Sequence, residues 1–285
     1  GHGLRHGIAP DAELLVGNAY GETGYFQVMQ WMLSQGANVV IHEFANNFGN
    51  FLDGTSNVEV AMDDTAATGV VHVAAAGNHG GSSKGYKSTI APGELRSVGL
   101  HLPGGSAAPA YAQITLLWRD NTQFFGLSLE DPTGVVFNAD ASTDMTEVAP
   151  NIWYYVVWDQ SDSGTVMADI VMFGYNGSSY VPLNGGDYTL SIQHPDAGGA
   201  PVAVAGFSTD MDSGWGEGFK WLEDVTEEHL IGWPGTANSA VTVAAYVGRD
   251  EPEIDYYGQT QGELRDYSGR GDRIDGQHTT DRAAP

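Results

Sequence analysis

The sequence predicts an α/β fold, an incomplete doubly wound parallel sheet interrupted by an inserted antiparallel β-sandwich or jelly roll. Three observations predict it. Strand-like and helix-like segments alternate from Ala12 to Asn78. Short strand-like runs separated by turn clusters, with no helix-length pattern between them, fill 81–232. An apolar strand, ANSAVTVAAYV (237–247), then resumes the first pattern. The division that follows is 1–80 for the first part of the α/β core, 81–232 for the inserted β-domain and 233–285 for the second part of the core.

The first part reads element by element. AELLVGNAY (12–20) is a short strand. In GYFQVMQWMLSQG, Tyr25, Val28, Met29 and Met32 recur at i, i+3, i+4 and i+7, one face of a helix that Gly36 stops. NVVIHEF (38–44) is a strand of mostly branched or aromatic residues. A second helix starts at a capping box, Ser56 with Glu59 three residues on; Val58, Ala61, Met62 and Thr65 mark its inner face, and Gly69 ends it. VVHVAAAGN (70–78) is a third strand. Near-continuous apolar runs of this kind belong to parallel sheets covered on both faces. The strand–helix order implies a doubly wound layer.

The insert carries ELRSVGLHL, AYAQITLLW, FFGLSLE, NIWYYVVW, VMADIVMFGY, DYTLSIQ and PVAVAGF, divided by turn clusters such as DPTG (131–134), YNGSS (175–179) and LNGGD (183–187). Strands punctuated in this way form antiparallel sandwiches or jelly rolls. Its aromatics (Trp118, Trp153, Tyr154, Tyr155, Trp158, Phe173) are expected to pack between two sheets.

Composition narrows the function classes. The 285 residues carry a formal charge of −25 and no cysteine. Such a charge repels phosphate backbones and anionic lipid, so neither nucleic acid nor a membrane surface is an expected partner. The absence of cysteine excludes disulfides, a thiolate nucleophile and sulfur-ligated zinc. No apolar run reaches the ~18–20 residues of a membrane span, and GHGLRHGIAP lacks the apolar stretch of a signal peptide.

Four segments, in order, resemble subtilisin-like serine proteases (subtilases). GIAPDAEL (7–14) is similar to the family's G-[VI]-A-P-x-A-x-L, and GVVHVAAAGNHG (69–80) to its strand ending in A-A-G-N-x-G. PGTANSAVTVAAY (234–246) resembles its P-A-T-A segment, and YSGRGDRIDGQHTTDRAAP (267–285) resembles F-S-S-R-G-P-x-x-D-G-R-x-K-P-D-I-A-A-P-G. The matches cover roughly the α/β half of the chain. The insert lies where some subtilases, among them the clostridial spore-germination proteases, carry a jelly roll; FKWLEDVTEEHLIGWPGTA (219–237) is loosely similar to their return to the core.

The resemblance implies peptide-bond hydrolysis through an acyl-enzyme, a peptide or protein substrate and an extracellular location. It implies that Asn78 is the oxyanion donor and that Ala74, Ala75, Ala76 and Gly77 line the pocket for the residue before the scissile bond. A serine protease also needs a serine, a histidine base and an orienting carboxylate. Gly1-His2-Gly3 has the letters of the family's histidine motif, so His2 is a candidate base, with His6 behind it. Only Leu4, Arg5 and His6 separate that motif from GIAP, which leaves no room for the family's helix. The family's aspartate would lie upstream of Gly1. TTDRAAP can be read as the nucleophile motif with Asp281 in place of serine. Read instead with Asp275-Gly276, Asp281 is a loop residue before the nucleophile and Ser268 is structural, a register that also accounts for 267–271. The chain as given is therefore expected to be inactive. Asp272 in place of a proline, and Thr279-Thr280 in place of Lys-Pro, should loosen the final segment.

Other residues carry groups capable of chemistry. HEFAN is not H-E-x-x-H, because Asn46 fills the last position; His42 and Glu43 should point to opposite faces of a strand. Asp140, Asp144 and Glu147, or Asp210 and Asp212, could hold calcium, the one cofactor in question, though neither set has the EF-hand pattern. GNHGGSSKG lacks the phosphate-loop spacing. Rival readings are a pseudoprotease or binding module displaying the β-domain, and a carbohydrate-binding jelly roll. Incomplete sheet edges would also favour self-association.

Overall fold

The computed structural model describes residues 9–119, 125–140, 144–195, 199–210, 217–248 and 260–284, the last five as backbone only. The chain opens with helix α1 (Gly21–Ser34), strand β1 (Val39–His42), helix α2 (Asn57–Ala66) and strand β2 (Val71–Ala75). The capping box forms: Ser56 Oγ accepts from Glu59 N, and the Glu59 carboxylate accepts from Ser56 N. Gly36 and Gly69, both at positive φ, follow the two helices. The segment 12–20 differs from expectation. It forms no strand, because it joins no ladder, and Leu14 and Val16 stay exposed.

The sandwich follows as β3 (Gly85–Ile90), β4 (Leu95–Leu102), β5 (Tyr111–Trp118), β6 (Gly126–Glu130), β7 (Val136–Asn138), β8 (Thr146–Ala149), β9 (Ile152–Gln160), β10 (Val166–Gly174), β11 (Gly186–Gln193), β12 (Val202–Asp210) and β13 (Lys220–Trp221). After it come β14 (Val241–Ala245) and β15 (Thr280–Ala284). Among the described residues these strands make three sheets. One is parallel, in the order β1-β2-β14-β15; the others are antiparallel, β3-β12-β5-β10-β9-β8 and β13-β4-β11-β6-β7. Thr280–Ala284 is thus a strand beside β14, which corrects the reading of Asp281 as a loop residue; the free edge of β14 supplies its ladder.

The two antiparallel sheets close on one core that includes Trp118, Tyr154, Tyr188, Phe219 and Trp221, with Trp158 packed at its margin. Side chains alternate across a strand. Tyr154 and Met172 point into this core, so Trp153, Tyr155 and Phe173 lie on the outer face, contrary to the expectation that all the aromatics fill the interior. A second core joins the two parts of the molecule. Leu117, Met167 and Phe207, on the outer face of the six-stranded sheet, pack with Met29, Leu52, Met62, Ala74, Leu230 and Trp233.

The parallel sheet is covered differently from expectation. Val40, His42, His72 and Ala74 are buried toward the helices, while Val39, Ile41 and Val71 are 54 %, 63 % and 46 % exposed. Among the described residues only one face of β1 and β2 is covered, so their burial alternates even though their sequence is apolar apart from His42 and His72.

Candidate functional site

The carboxyl ends of β1, β2 and β14 meet at one rim, where open α/β sheets bind ligands. Three chain segments build it: 45–48 after β1, 76–80 after β2, and 230–235, the return from the sandwich. Asn46 and Trp233 exchange both backbone hydrogen bonds, at 3.0 and 2.9 Å. Ala76 N donates to Val243 O at 2.9 Å, and Ala76 O accepts from Gly232 N at 3.0 Å. Gly77 O accepts from Gly269 N, and Gly80 N donates to Tyr267 O, both at 2.9 Å. The end of β2 is therefore pinned on both sides by backbone.

The close approach explains two glycines. A Cβ on Gly269 would lie 2.2 Å from Ala76 O, and one on Gly232 would lie 2.9 Å from Ala45 Cβ. Gly77 adopts φ +102, a left-handed conformation that turns the chain outward immediately before Asn78.

Asn78 sits at this rim and is exposed. Among the described residues its side chain makes no hydrogen bond, so the amide NH₂ is available to an incoming oxygen. Ala74 and Ala76 point into the core, whereas Ala75 and Gly77 are half-buried. Any wall that 74–77 present is accordingly made by Ala75, Gly77 and backbone. The structure brings Asn78 and 74–77 together; His2 and His6 lie outside the described residues.

Two further residues of the rim, Asn47 and His79, belong to no motif of the sequence that points to them. Asn47 is buried; its amide donates to Ile231 O at 3.3 Å, so its Oδ1 accepts from His79 Nδ1 at 3.2 Å. The His79 ring also packs against Phe48, with centroids 5.4 Å apart. Burial, and then the charge of Lys84, push His79 down to about 4, so it is neutral at pH 7. A signal for both existed: each lies in a loop at the carboxyl end of a parallel strand.

Serines at the rim are engaged. Ser82 Oγ donates to His79 O, and the buried Ser268 donates to Ala245 O and accepts from Ala245 N, each at 3.0 Å. Ser268 is structural, as its motif register implies. The segment after it is firmly held, against the expectation of loosening. Buried Arg273 pairs with Asp275 at 2.5 Å, donates to Thr236 O at 3.0 Å and Asn238 Oδ1 at 2.7 Å, and bonds Asp53 O. Asp272 O accepts from His229 Nδ1 at 2.7 Å.

No group of three or more His, Asp or Glu side chains that could hold a metal occurs among the described residues. Asp210 is buried, accepts from Phe219 N at 2.6 Å and lies 3.9 Å from Lys84 Nζ. Asp140, Asp144 and Glu147 are exposed, and Asp212 lies outside the described residues. His42 is buried and Glu43 exposed, on opposite faces as expected. A cleft of about 520 Å³ lies away from the rim, lined by Lys87, Arg119, Val204, His229 and Asp275. Its cations are already bound, Lys87 to Glu228 and Arg119 to Ser163 and Thr165.

No family model matches this sequence, and no curated protein matches it either. Among solved structures the chain is similar to the CspB protease of Clostridium perfringens, at a TM-score of 0.65 and 17% sequence identity. The likeness covers 92% of this chain and 51% of the other, so the chain spans about half of that protease's length. At this identity the likeness is one of fold: a small parallel sheet with an antiparallel sandwich set between its strands, as in part of CspB.

Proposed function

We propose that this chain supplies the oxyanion donor and part of the substrate cleft of a subtilase-type serine endopeptidase. The observation that carries the reading is Asn78. Its exposed amide, which makes no hydrogen bond among the described residues, stands at the carboxyl rim of the parallel sheet, directly after the pinned strand end 74–77. In acyl transfer a hydroxyl attacks the scissile carbonyl and negative charge develops on its oxygen; a donor fixed in advance stabilises that charge without reorganising. Gly77 and the bonds from Gly232 and Gly269 hold the backbone from which the Asn78 side chain projects. The substrate on this reading is an extended peptide, met outside the cell.

The rim as described contributes no attacking hydroxyl, since Ser82 and Ser268 are held by backbone groups. Residues of the family's D-[ST]-G, G-H-G-T and G-T-S-x-A motifs would have to complete the site. Sequencing the coding region on both sides of Gly1–Pro285 tests this: intact motifs support the endopeptidase, and substituted ones overturn it. A fluorophosphonate probe should leave the 285-residue chain unlabelled, and stoichiometric labelling would refute the assignment of the rim serines.

The second reading is a pseudoprotease that presents its β-domain to a partner. What favours it is the engagement of both rim serines, together with Arg273 and its partners, which stabilise the diverged final segment without any catalytic group. Substituted flanking motifs combined with a folded, unlabelled protein would decide for it.

A further inference from the structure

Two glycines of the rim face a single methyl group. A Cβ on Gly77 would lie 3.4 Å from the Cβ of Ala45, and a Cβ on Gly232 would lie 2.9 Å from the same atom. Gly232 is buried, while Ala45 and Gly77 beside it are half-buried. The Ala45 methyl thus occupies the space that both glycines leave, in the gap between segments 45–47 and 75–77.

Neither side of this gap is free to withdraw. Segment 45–47 is tied to the return from the sandwich by the Asn46–Trp233 backbone pair and by the Asn47 amide, which donates to Ile231 O at 3.3 Å. The Asn46 side chain closes its own turn, Nδ2 donating to Phe48 O at 3.1 Å and Oδ1 accepting from Phe48 N at 2.9 Å. Opposite, Ala76 O and Gly77 O accept from Gly232 N and Gly269 N.

Width decides what can enter. A Cα–Cβ bond is about 1.5 Å long, so Gly77 Cα lies no more than about 5 Å from the Ala45 methyl. A side-chain carbon placed between them needs about 3.5–4.0 Å to each neighbour, or about 7–8 Å in all. The gap is too narrow for one methyl group.

We propose that Ala45 closes the pocket for the residue before the scissile bond, so that the site takes glycine there. The inference rests on the reading of Asn78 as the oxyanion donor. An attacked carbonyl that faces Asn78 brings the side chain of its own residue to the neighbouring wall, 75–77, and Ala45 stands across from that wall. Glycine alone presents no carbon to the gap; any larger residue meets backbone that is pinned on both sides. The substrate class is an extended peptide cleaved after glycine.

The test begins with the 285-residue chain and acetylated tetrapeptides Ala-Ala-Ala-X, where X is Gly, Ala or Phe and the free carboxylate stands in for the oxyanion. Salt of about 0.1 M screens the acidic surface. NMR of the Asn78 side-chain amide and of the 75–77 backbone should show saturable shifts with the Gly-ended peptide, and binding at least about tenfold weaker for the other two. Ala45→Gly removes the methyl and should bring the Ala-ended peptide to within about threefold of the Gly-ended one. Equal or tighter binding of the Phe-ended peptide, an unchanged preference in Ala45→Gly, or no binding of any of the three overturns the proposal. Shifts at 75–77 in the expected order, with none at the Asn78 amide, support the closed pocket and overturn the oxyanion reading instead. In the longer protein, cleavage after glycine should exceed cleavage after alanine by a similar factor. Preferred cleavage after phenylalanine would overturn the closed pocket and leave the endopeptidase reading standing.

Discussion

Nε2 of His42 lies 3.1 Å from Nδ1 of His72, joining neighbouring strands β1 and β2 through two buried imidazoles. The tautomers follow from the chain of bonds. Thr65 Oγ1 donates to Ala61 O at 2.7 Å, so it accepts from His72 Nε2 at 2.8 Å; His72 Nδ1 then accepts from His42 Nε2. Both rings are neutral in this arrangement, and a proton on either one has no acceptor within it.

Stability should therefore fall in acid. Burial, then the neighbouring His72 ring, push His42 from 6.5 down to about 4; burial also lowers His72, against the pull of Asp63. A base with a lowered folded pKa contributes stability that is fully present above pH ~6.5 and is lost as pH falls through the folded value. For His42 the loss is about 3 kcal/mol, complete near pH 4. Buried Glu59, whose pKa burial raises, works in the opposite sense and offsets part of it. Urea unfolding at pH 7.5, 6 and 5 should show the decline, and His42→Gln should flatten it.

Ser56 serves two parts of the chain. It caps α2, and its Oγ accepts from the indole Nε1 of Trp233 at 2.7 Å. Ser56→Ala removes the cap and strands a donor in the second core, at a cost of about 2 kcal/mol in urea unfolding. Ser56→Thr keeps the oxygen and should recover most of the loss.

Arg273 binds the final segment to the return from the sandwich and to the 53–55 loop. Arg273→Ala leaves Asp275 buried without its cation, which should cost about 3–5 kcal/mol. Arg273→Met combined with Asp275→Asn should cost less than the sum of the single changes, measured as a double-mutant cycle of unfolding free energies.

What the sequence made legible was local. The capping box, the sandwich strands and the position of Asn78 all depend on residues a few places apart, where periodicity and turn chemistry act. The illegible features depend on distant partners. GYKSTI (85–90) looks polar and becomes β3 only because Tyr86 pairs with Gly206 on β12. AELLVGNAY has the letters of a strand but finds no ladder. The aromatic chemistry of Trp153, Tyr155 and Phe173 points inward, whereas alternation with buried Tyr154 and Met172 sends them outward. At the site, the pairing of Asn47 with His79 spans 32 residues and that of Arg273 with Asp53 spans 220, beyond the reach of any local pattern.

Gly269 tests whether the strand end is pinned as described. In Gly269→Ala the new methyl would meet Ala76 O at 2.2 Å and Leu230 O at 2.6 Å, both backbone atoms that cannot rotate away. Overpacking of this kind costs about 1–3 kcal/mol. Gly99→Ala meets the flexible Leu222 side chain at 3.3 Å and should cost much less, so thermal unfolding of the two variants separates the claims.

Asn78 separates a structural from a catalytic role. Its side chain is exposed and unbonded among the described residues, so Asn78→Ala should change unfolding free energy by no more than about 0.5 kcal/mol. In subtilisin, removal of one oxyanion donor costs about 10²–10³ in turnover. If the flanking motifs prove intact, the same variant of the longer protein should lose turnover on that scale with KM nearly unchanged, because the bond forms only as charge develops on the oxygen. A large loss of stability would make Asn78 a structural turn residue, and unchanged turnover in a stable variant would remove it from the oxyanion site.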